Sequence, residues 1–260
     1  MERSDPQKVL HGGPDEFMAA SLAARVGEGK DKVSLELWEL GMRHLSLAAL
    51  PLLCILGTFG FACEALAGEA EAWAALQRGG MVVIMRHASA PGPEQGREGD
   101  PSGFVLEDCA TQRNLSEHGR EQATRLGEAM RAHHIVFARV MSSPWCRAKD
   151  TAILMNLGPS LELNRFLYNI GEHEAGAGEV NKSMPDPRMA IMHIHGIIRS
   201  WPGPGNLMLV SHGRTIAAVL YGPHSRSPEQ AAAYVLEPTE GNKTGFTEIG
   251  SIPPPGGSHN

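Results

Sequence analysis

Met81-Val82-Val83-Ile84-Met85-Arg86-His87-Ala88 is the stretch on which the fold turns. Its five apolar residues are entered through Gly79-Gly80 and left through a cation and an imidazole, with neither alternation nor helical spacing. Such a run reads as a strand buried on both faces, the kind that parallel sheets contain. Two later runs end in the same manner. Residues 137–141 lead into Ser142-Ser143, with Arg147 four residues on, and residues 206–210 lead into Ser211-His212. Between these strands the spacing predicts a helix over 116–132, with Ser116 as N-cap and Ala123, Leu126 and Met130 on one face. Further helices are expected over 146–156, 187–201 and 214–220, with a short one over 71–77 and weaker strands near Tyr234 and Phe246. The alternation implies an α/β domain in three layers, a mainly parallel sheet with helices on both faces. In open sheets of this kind ligands sit beyond the carboxyl ends of the strands. Residues 89–113 carry Pro, Gly and charge without periodicity, and we read them as a lid or specificity loop. Residues 164–187 are Gly- and Glu-rich and predict no regular element.

The chain has 260 residues, enough for one large domain or two small ones. A net charge of −6 and an aromatic content of 5% leave neither the basic footprint nor the stacking surface of a nucleic-acid binder. Residues 45–63 hold no charge at all, follow Met42-Arg43-His44 and precede Ala65-Leu66-Ala67, the small-x-small pattern of a secretory cleavage site. Residues 42–67 therefore read as a signal peptide, with an uncleaved membrane anchor as the alternative. The chain then divides into a leader over 1–41, for which Met42 offers a competing start, the segment 42–67, a folded domain over 68–250 and a disordered tail over 251–260. The expected location is periplasmic or secreted, or membrane-anchored if the segment is kept. After cleavage Cys109 and Cys146 are the remaining cysteines, and both should border the pocket. In an oxidising compartment they form a candidate disulfide, with adjacent free thiols as the other reading.

Three strand ends with Arg86-His87, Ser142-Ser143 plus Arg147, and Ser211-His212 converge on one task. Guanidinium forks grip phosphoryl oxygens, while an imidazole serves as nucleophile or proton carrier. Other polar residues lack that context. His193 and His195 are two apart and point to different sides of a helix, His133-His134 closes a helix, and Ser143 lacks the Gly-x-Ser-x-Gly elbow of serine hydrolases.

The segments MVVIMRHA over 81–88, Asn114-Leu115-Ser116 with Gly119-Arg120-Glu121-Gln122-Ala123, Ser142-Ser143-Pro144-Trp145-Cys146-Arg147-Ala148 with Thr151-Ala152, and Val210-Ser211-His212-Gly213 resemble, in order, the motifs of the histidine phosphatase superfamily, the phosphoglycerate-mutase-like fold. The loop Phe104-Val105-Leu106-Glu107-Asp108-Cys109-Ala110-Thr111-Gln112-Arg113 is similar to a secreted bacterial branch that includes lipopolysaccharide-core heptose phosphatase-like proteins. The resemblance implies a metal-independent phosphomonoester hydrolase without cofactors. His87 would be the nucleophile, Arg86 and Arg147 the phosphate grip, and His212 the residue completing the pocket. Arg113 is a further phosphate contact or a structural residue of the turn. The family's Gly-x-x-Glu-Gly pattern is absent, so the proton donor to the leaving oxygen is Glu172, or Asp108, or missing. The expected partners are a phosphorylated small molecule, an envelope sugar phosphate or a phosphoprotein. A phosphomutase and a non-catalytic phospho-ligand binding module are the rival functions.

Overall fold

The computed structural model describes residues 68–91, 100–171 and 183–256. The leader, the apolar run over 45–63 and its cleavage pattern lie outside the described residues, as does Glu172. Among the described residues no helix is long and apolar enough to cross a membrane.

Residues 68–78 form helix α1 and lead into β1, Val82–Arg86. Then follow α2, Glu117–Ala132, β2, Phe137–Ser142, and α3, Cys146–Met155. A short β3, Leu161–Leu163, precedes α4, Pro187–Arg199, β4, Asn206–Ser211, and α5, Gly213–Leu220. The chain closes with β5, Ala233–Pro238, and β6, Phe246–Ile252. One sheet of order β3-β2-β4-β1-β5-β6 results. Strands β3, β2, β4 and β1 run parallel, and β5 and β6 are added as antiparallel neighbours at one side.

The unbroken apolar run of β1 is explained by what lies on its two faces. Val83 and Met85 join Met208 and Val210 of β4 in a core with Leu76, Leu126, Met130 and Met155, which places α1, α2 and α3 on that side. Val82 and Ile84 join Leu207 and Leu209 in a second core with Ile194, Ile198, Ile216 and Val219, which places α4 and α5 on the other. A central strand thus has no solvent face to be polar on.

The expected N-cap is in place, since the Ser116 hydroxyl accepts the Gly119 N–H at 3.0 Å. Helix α2 comes down closely on its neighbours: a side chain at Gly119 would collide with the Ser89 carbonyl, and one at Gly127 with the Met155 backbone. Asn206 fixes where β4 begins, its Oδ1 accepting the Met81 N–H at 3.0 Å and its Nδ2 donating to Leu76 O at 2.9 Å.

Two expectations are corrected. The tail over 251–260 starts too early, because Ser251 and Ile252 belong to β6 and pair with Tyr234 and Ala233. Ile252 is buried, which a strand registered against β5 requires. The stretch over 164–187 is not wholly irregular either: a 3-10 turn, Arg165–Leu167, seats Leu167 in the second core. β3, just ahead of it, has too few residues for periodicity to reveal it.

Candidate active site

Parallel pairing brings the ends of β1, β2 and β4 to one edge. Arg86 lies opposite Ser211, and Ser142 opposite Val210, so His87, Ser143 and His212 are the next residues out on adjacent strands. Ladder bonds continue into the site, with the His87 N–H donating to Ser211 O at 3.0 Å and the Ser143 N–H to Val210 O at 2.9 Å. The rings of His87 and His212 meet edge to face, 5.2 Å between centroids.

His87 Nδ1 lies 2.9 Å from the Ala88 carbonyl, an acceptor only, so this nitrogen carries the proton. The lone pair of the neutral ring is therefore on Nε2. Neutrality follows from the surroundings: burial, then the charges of Arg147, Arg86 and Arg113, hold the ring well below the usual histidine range, against the opposing pull of the Ala88 carbonyl. The turn after β1 is held by Thr151, whose hydroxyl accepts the Ala88 N–H at 3.0 Å and donates to Arg147 O at 2.7 Å. Gln122 accepts the Ser89 N–H at 3.0 Å.

All three guanidinium groups are placed by the backbone or by the loop. Arg86 Nη1 donates to Pro228 O at 2.7 Å, and Arg113 Nη1 donates to Ala90 O at 3.3 Å. Arg147 sits on the first turn of α3, fully buried, and its Nη1 donates to both oxygens of Asp100 at 2.9 and 2.7 Å. Arg113 is tied into the turn, and its charge acts on both histidines.

His212 Nε2 lies 2.8 Å from Ser143 Oγ, which also receives the Trp145 N–H at 3.4 Å. His212 Nδ1 is buried and has no hydrogen-bond partner. Burial, then Arg147, His87, Arg113 and Arg86, hold this ring too well below the usual range, which favours the neutral imidazole.

Cys109 and Cys146 are joined by a disulfide with Cα atoms 5.7 Å apart. It staples the loop ahead of α2 to the first residue of α3, next to Arg147. Gln112 doubles the staple, accepting the Cys146 N–H at 3.0 Å and donating to Leu106 O at 2.8 Å. Above it Phe104, Trp145 and Tyr168 form a small aromatic cluster, and Trp145 stands edge-on to His212 at 5.7 Å.

Asp108, one candidate for the proton donor, is exposed, and its Oδ1 caps the 3-10 turn Cys109–Thr111 by accepting the Ala110 N–H at 3.0 Å. The sequence reading missed Asp100, which touches Arg147, and missed Ser143 as the partner of His212. Asp100 carries no signal, being one acid in an aperiodic loop, and Ser143 is marked in the sequence as a polar strand end but not as a partner of His212. His195 contacts Val219 O at 2.9 Å through Nε2, while exposed His193 stacks on Phe166. His133 is the C-cap of α2 and stacks on Trp73.

A neutral imidazole with an available Nε2, three guanidinium groups and a second histidine form an arrangement with the chemistry to take up a phosphoryl group. In agreement, residues 82–188 match the family model described as histidine phosphatase superfamily (branch 1). No curated protein matches the chain. Solved structures similar to it include the protein histidine phosphatase SixA complexed with tungstate, at 18% identity over 66% of this chain and 96% of that one, with a TM-score of 0.43. A mycobacterial glucosyl-3-phosphoglycerate phosphatase aligns at 18% identity over 65% and 95%, with a TM-score of 0.42. A phosphoserine phosphatase variant from Entamoeba histolytica, in complex with phosphoserine, aligns at 14% identity over 66% and 95%, with a TM-score of 0.45.

Proposed function

We propose that the protein is a phosphomonoester hydrolase of the histidine phosphatase superfamily that works through a phosphohistidine on His87. One observation carries this reading: the Nδ1–H of a buried, neutral His87 is spent on the Ala88 carbonyl, which commits Nε2 to act as a nucleophile beside three arginines. In the first step Nε2 forms a bond to phosphorus and the ester oxygen departs with its electron pair. Arg86, Arg147 and Arg113 balance the phosphoryl oxygens, and their fixed positions need no rearrangement as charge shifts. His212, protonated on Nδ1 while the Ser143 hydroxyl donates to Nε2, adds a neutral donor. In the second step water attacks phosphorus and gives a proton to the carboxylate left by the first step, the N–P bond breaks and inorganic phosphate leaves, restoring His87 and the acid.

With Asp108 committed to a cap, Glu172 is the carboxyl we assign to protonate the leaving oxygen. The resemblance of the loop over 104–113 to heptose phosphatase-like proteins supports an envelope sugar phosphate or another phosphorylated small molecule as substrate. The Cys109–Cys146 bridge supports an oxidising compartment, and with it residues 42–67 as a signal peptide or anchor.

The test is a quenched reaction with a labelled generic phosphomonoester on wild type and His87→Ala. Wild type should show an acid-labile, base-stable phosphoenzyme, and His87→Ala should fold normally yet lose at least about 10³-fold in turnover, or about 4 kcal/mol of barrier. Oxyanion binding without phosphoenzyme or turnover would make the protein a phospho-ligand binding module instead. For Glu172, esters of poorer leaving groups should suffer most in Glu172→Gln, and a uniform rate across the series would remove its role.

A further inference from the structure

We infer that Asp100 is the positioning residue of the phosphate grip: it holds the Arg147 guanidinium in the place from which it serves His87. The proposal rests on the phosphohydrolase reading and adds to it a residue that the motifs do not contain. The Asp100 carboxylate is fully buried, and four N–H···O contacts converge on it. Both of its oxygens accept from Arg147 Nη1, at 2.9 and 2.7 Å, Oδ1 also accepts the Arg113 backbone N–H at 2.7 Å, and Oδ2 accepts Trp145 Nε1–H at 3.0 Å.

Such a donor set requires acceptor-only oxygens, hence an ionised carboxylate rather than an acid with a proton to give. It also ties three parts of the pocket to one point: the first turn of α3, the turn ahead of α2, and the indole that stands against His212. A long side chain such as Arg147 has several rotamers to lose, and a carboxylate that takes one Nη from the side fixes the plane of the fork before substrate arrives. Arg147 is the leading charge acting on both His87 and His212, so its placement matters to both. The loop bearing Asp100 is in turn bridged to α3 through Cys109–Cys146, so grip and support share one covalent frame. A carboxylate occupying the phosphate's own place, as a plug that substrate must expel, is the competing account, and it predicts effects of opposite sign.

The experiment compares Asp100→Asn, Arg147→Ala and the double variant of the full domain for hydrolysis of a generic aryl phosphate and inhibition by vanadate. Asp100→Asn keeps the volume and removes the charge. It should lower kcat by about 10²-fold and weaken vanadate by a similar factor, with KM changed by less than about threefold, the signature of a misplaced transition-state contact. In the Arg147→Ala background the same substitution should cost less than about threefold, because the residue it positions is gone. Tighter vanadate or faster turnover in Asp100→Asn would establish the plug and overturn the proposal. An undiminished loss in the Arg147→Ala background would overturn it as well. Should Asp100→Asn not fold, Asp100→Glu keeps the charge and displaces the fork by about one methylene, and wild-type kcat there would again refute positioning. A wild type that shows neither turnover nor phosphoenzyme is the separate failure of the parent reading.

Discussion

His212 Nε2 lies 2.8 Å from Ser143 Oγ, and this bond ties the end of β4 to the end of β2 inside the pocket. Ser143 is completely buried and His212 nearly so. The bond leaves Nδ1 as the ring nitrogen without a hydrogen-bond partner.

Ser143→Ala removes that partner and strands Nε2 in a dry site. The expected loss is about 1–3 kcal/mol in stability, the cost of an unsatisfied buried polar atom. Urea denaturation measures it, and weaker inhibition by inorganic phosphate should accompany it because His212 is no longer oriented. Unchanged stability together with unchanged inhibition would show that the ring is held by packing alone.

Acid should destabilise the fold from just below neutrality. Both His87 and His212 are held well below the usual range, chiefly by burial and then by arginine charge, whereas in the unfolded chain each titrates near about 6.5. As pH falls through that value the unfolded state gains protons that the folded state refuses, so stability is lost on the acid side and retained above it. Each histidine contributes a slope of about 1.4 kcal/mol per pH unit in this window. Urea midpoints at a series of pH values should show the slope, and His212→Gln should reduce it by one proton's worth. An equal slope in wild type and variant would refute the assignment.

Reduction should loosen the domain. The Cys109–Cys146 bridge spans 37 residues, and closing a loop of that length stabilises the folded state by about 4 kcal/mol in the chain-entropy model. The double variant Cys109→Ser with Cys146→Ser should lower Tm accordingly and should reduce kcat even where it is fully folded, since the loop carrying Asp100 is no longer anchored beside Arg147. A folded double variant with undiminished kcat would confine the bridge to stability.

Gly127→Ala forces a methyl group into the Met155 backbone at the α2–α3 contact. Overpacking of this kind costs about 1–3 kcal/mol. Thermal unfolding should shift down while turnover per folded molecule stays near wild type, because the contact lies on the core side of α3 and not at its Arg147 end.

The sequence-level signals and the structure agree where physics leaves a periodic trace. Continuous apolar runs marked β1 and β4, a shorter one interrupted by Arg139 marked β2, and their polar ends marked His87, Ser143, Arg147 and His212, because a central parallel strand is apolar on both faces and turns polar beyond the sheet. The Ser116 cap and the buried faces of α2 and α3 were legible for the same reason. β3 was not, since three residues at a sheet edge need no pattern. Asp100 was not, because its role depends on three groups spread over 113–147 that only the folded chain brings together. The antiparallel sense of β5 and β6 likewise leaves no mark in two short strands that would look alike in either direction.

Arg86 opposite Ser211 in the β1–β4 register makes the sheet a ruler for the chemistry. His87, the proposed nucleophile, and His212 stand on rails one strand spacing apart, about 4.8 Å, whatever the length of the loops around them. Substrate preference can therefore drift through insertions and deletions in those loops, provided Asp100 keeps its place, while the reaction centre stays in calibration. A single residue added within β1 would do the reverse: it would exchange the two core faces of the strand and swing His87 away from His212. Tolerance to indels should thus fall abruptly at the strand boundaries, and a library of one-residue insertions scanned across 79–91 and 203–216 would trace the rails directly.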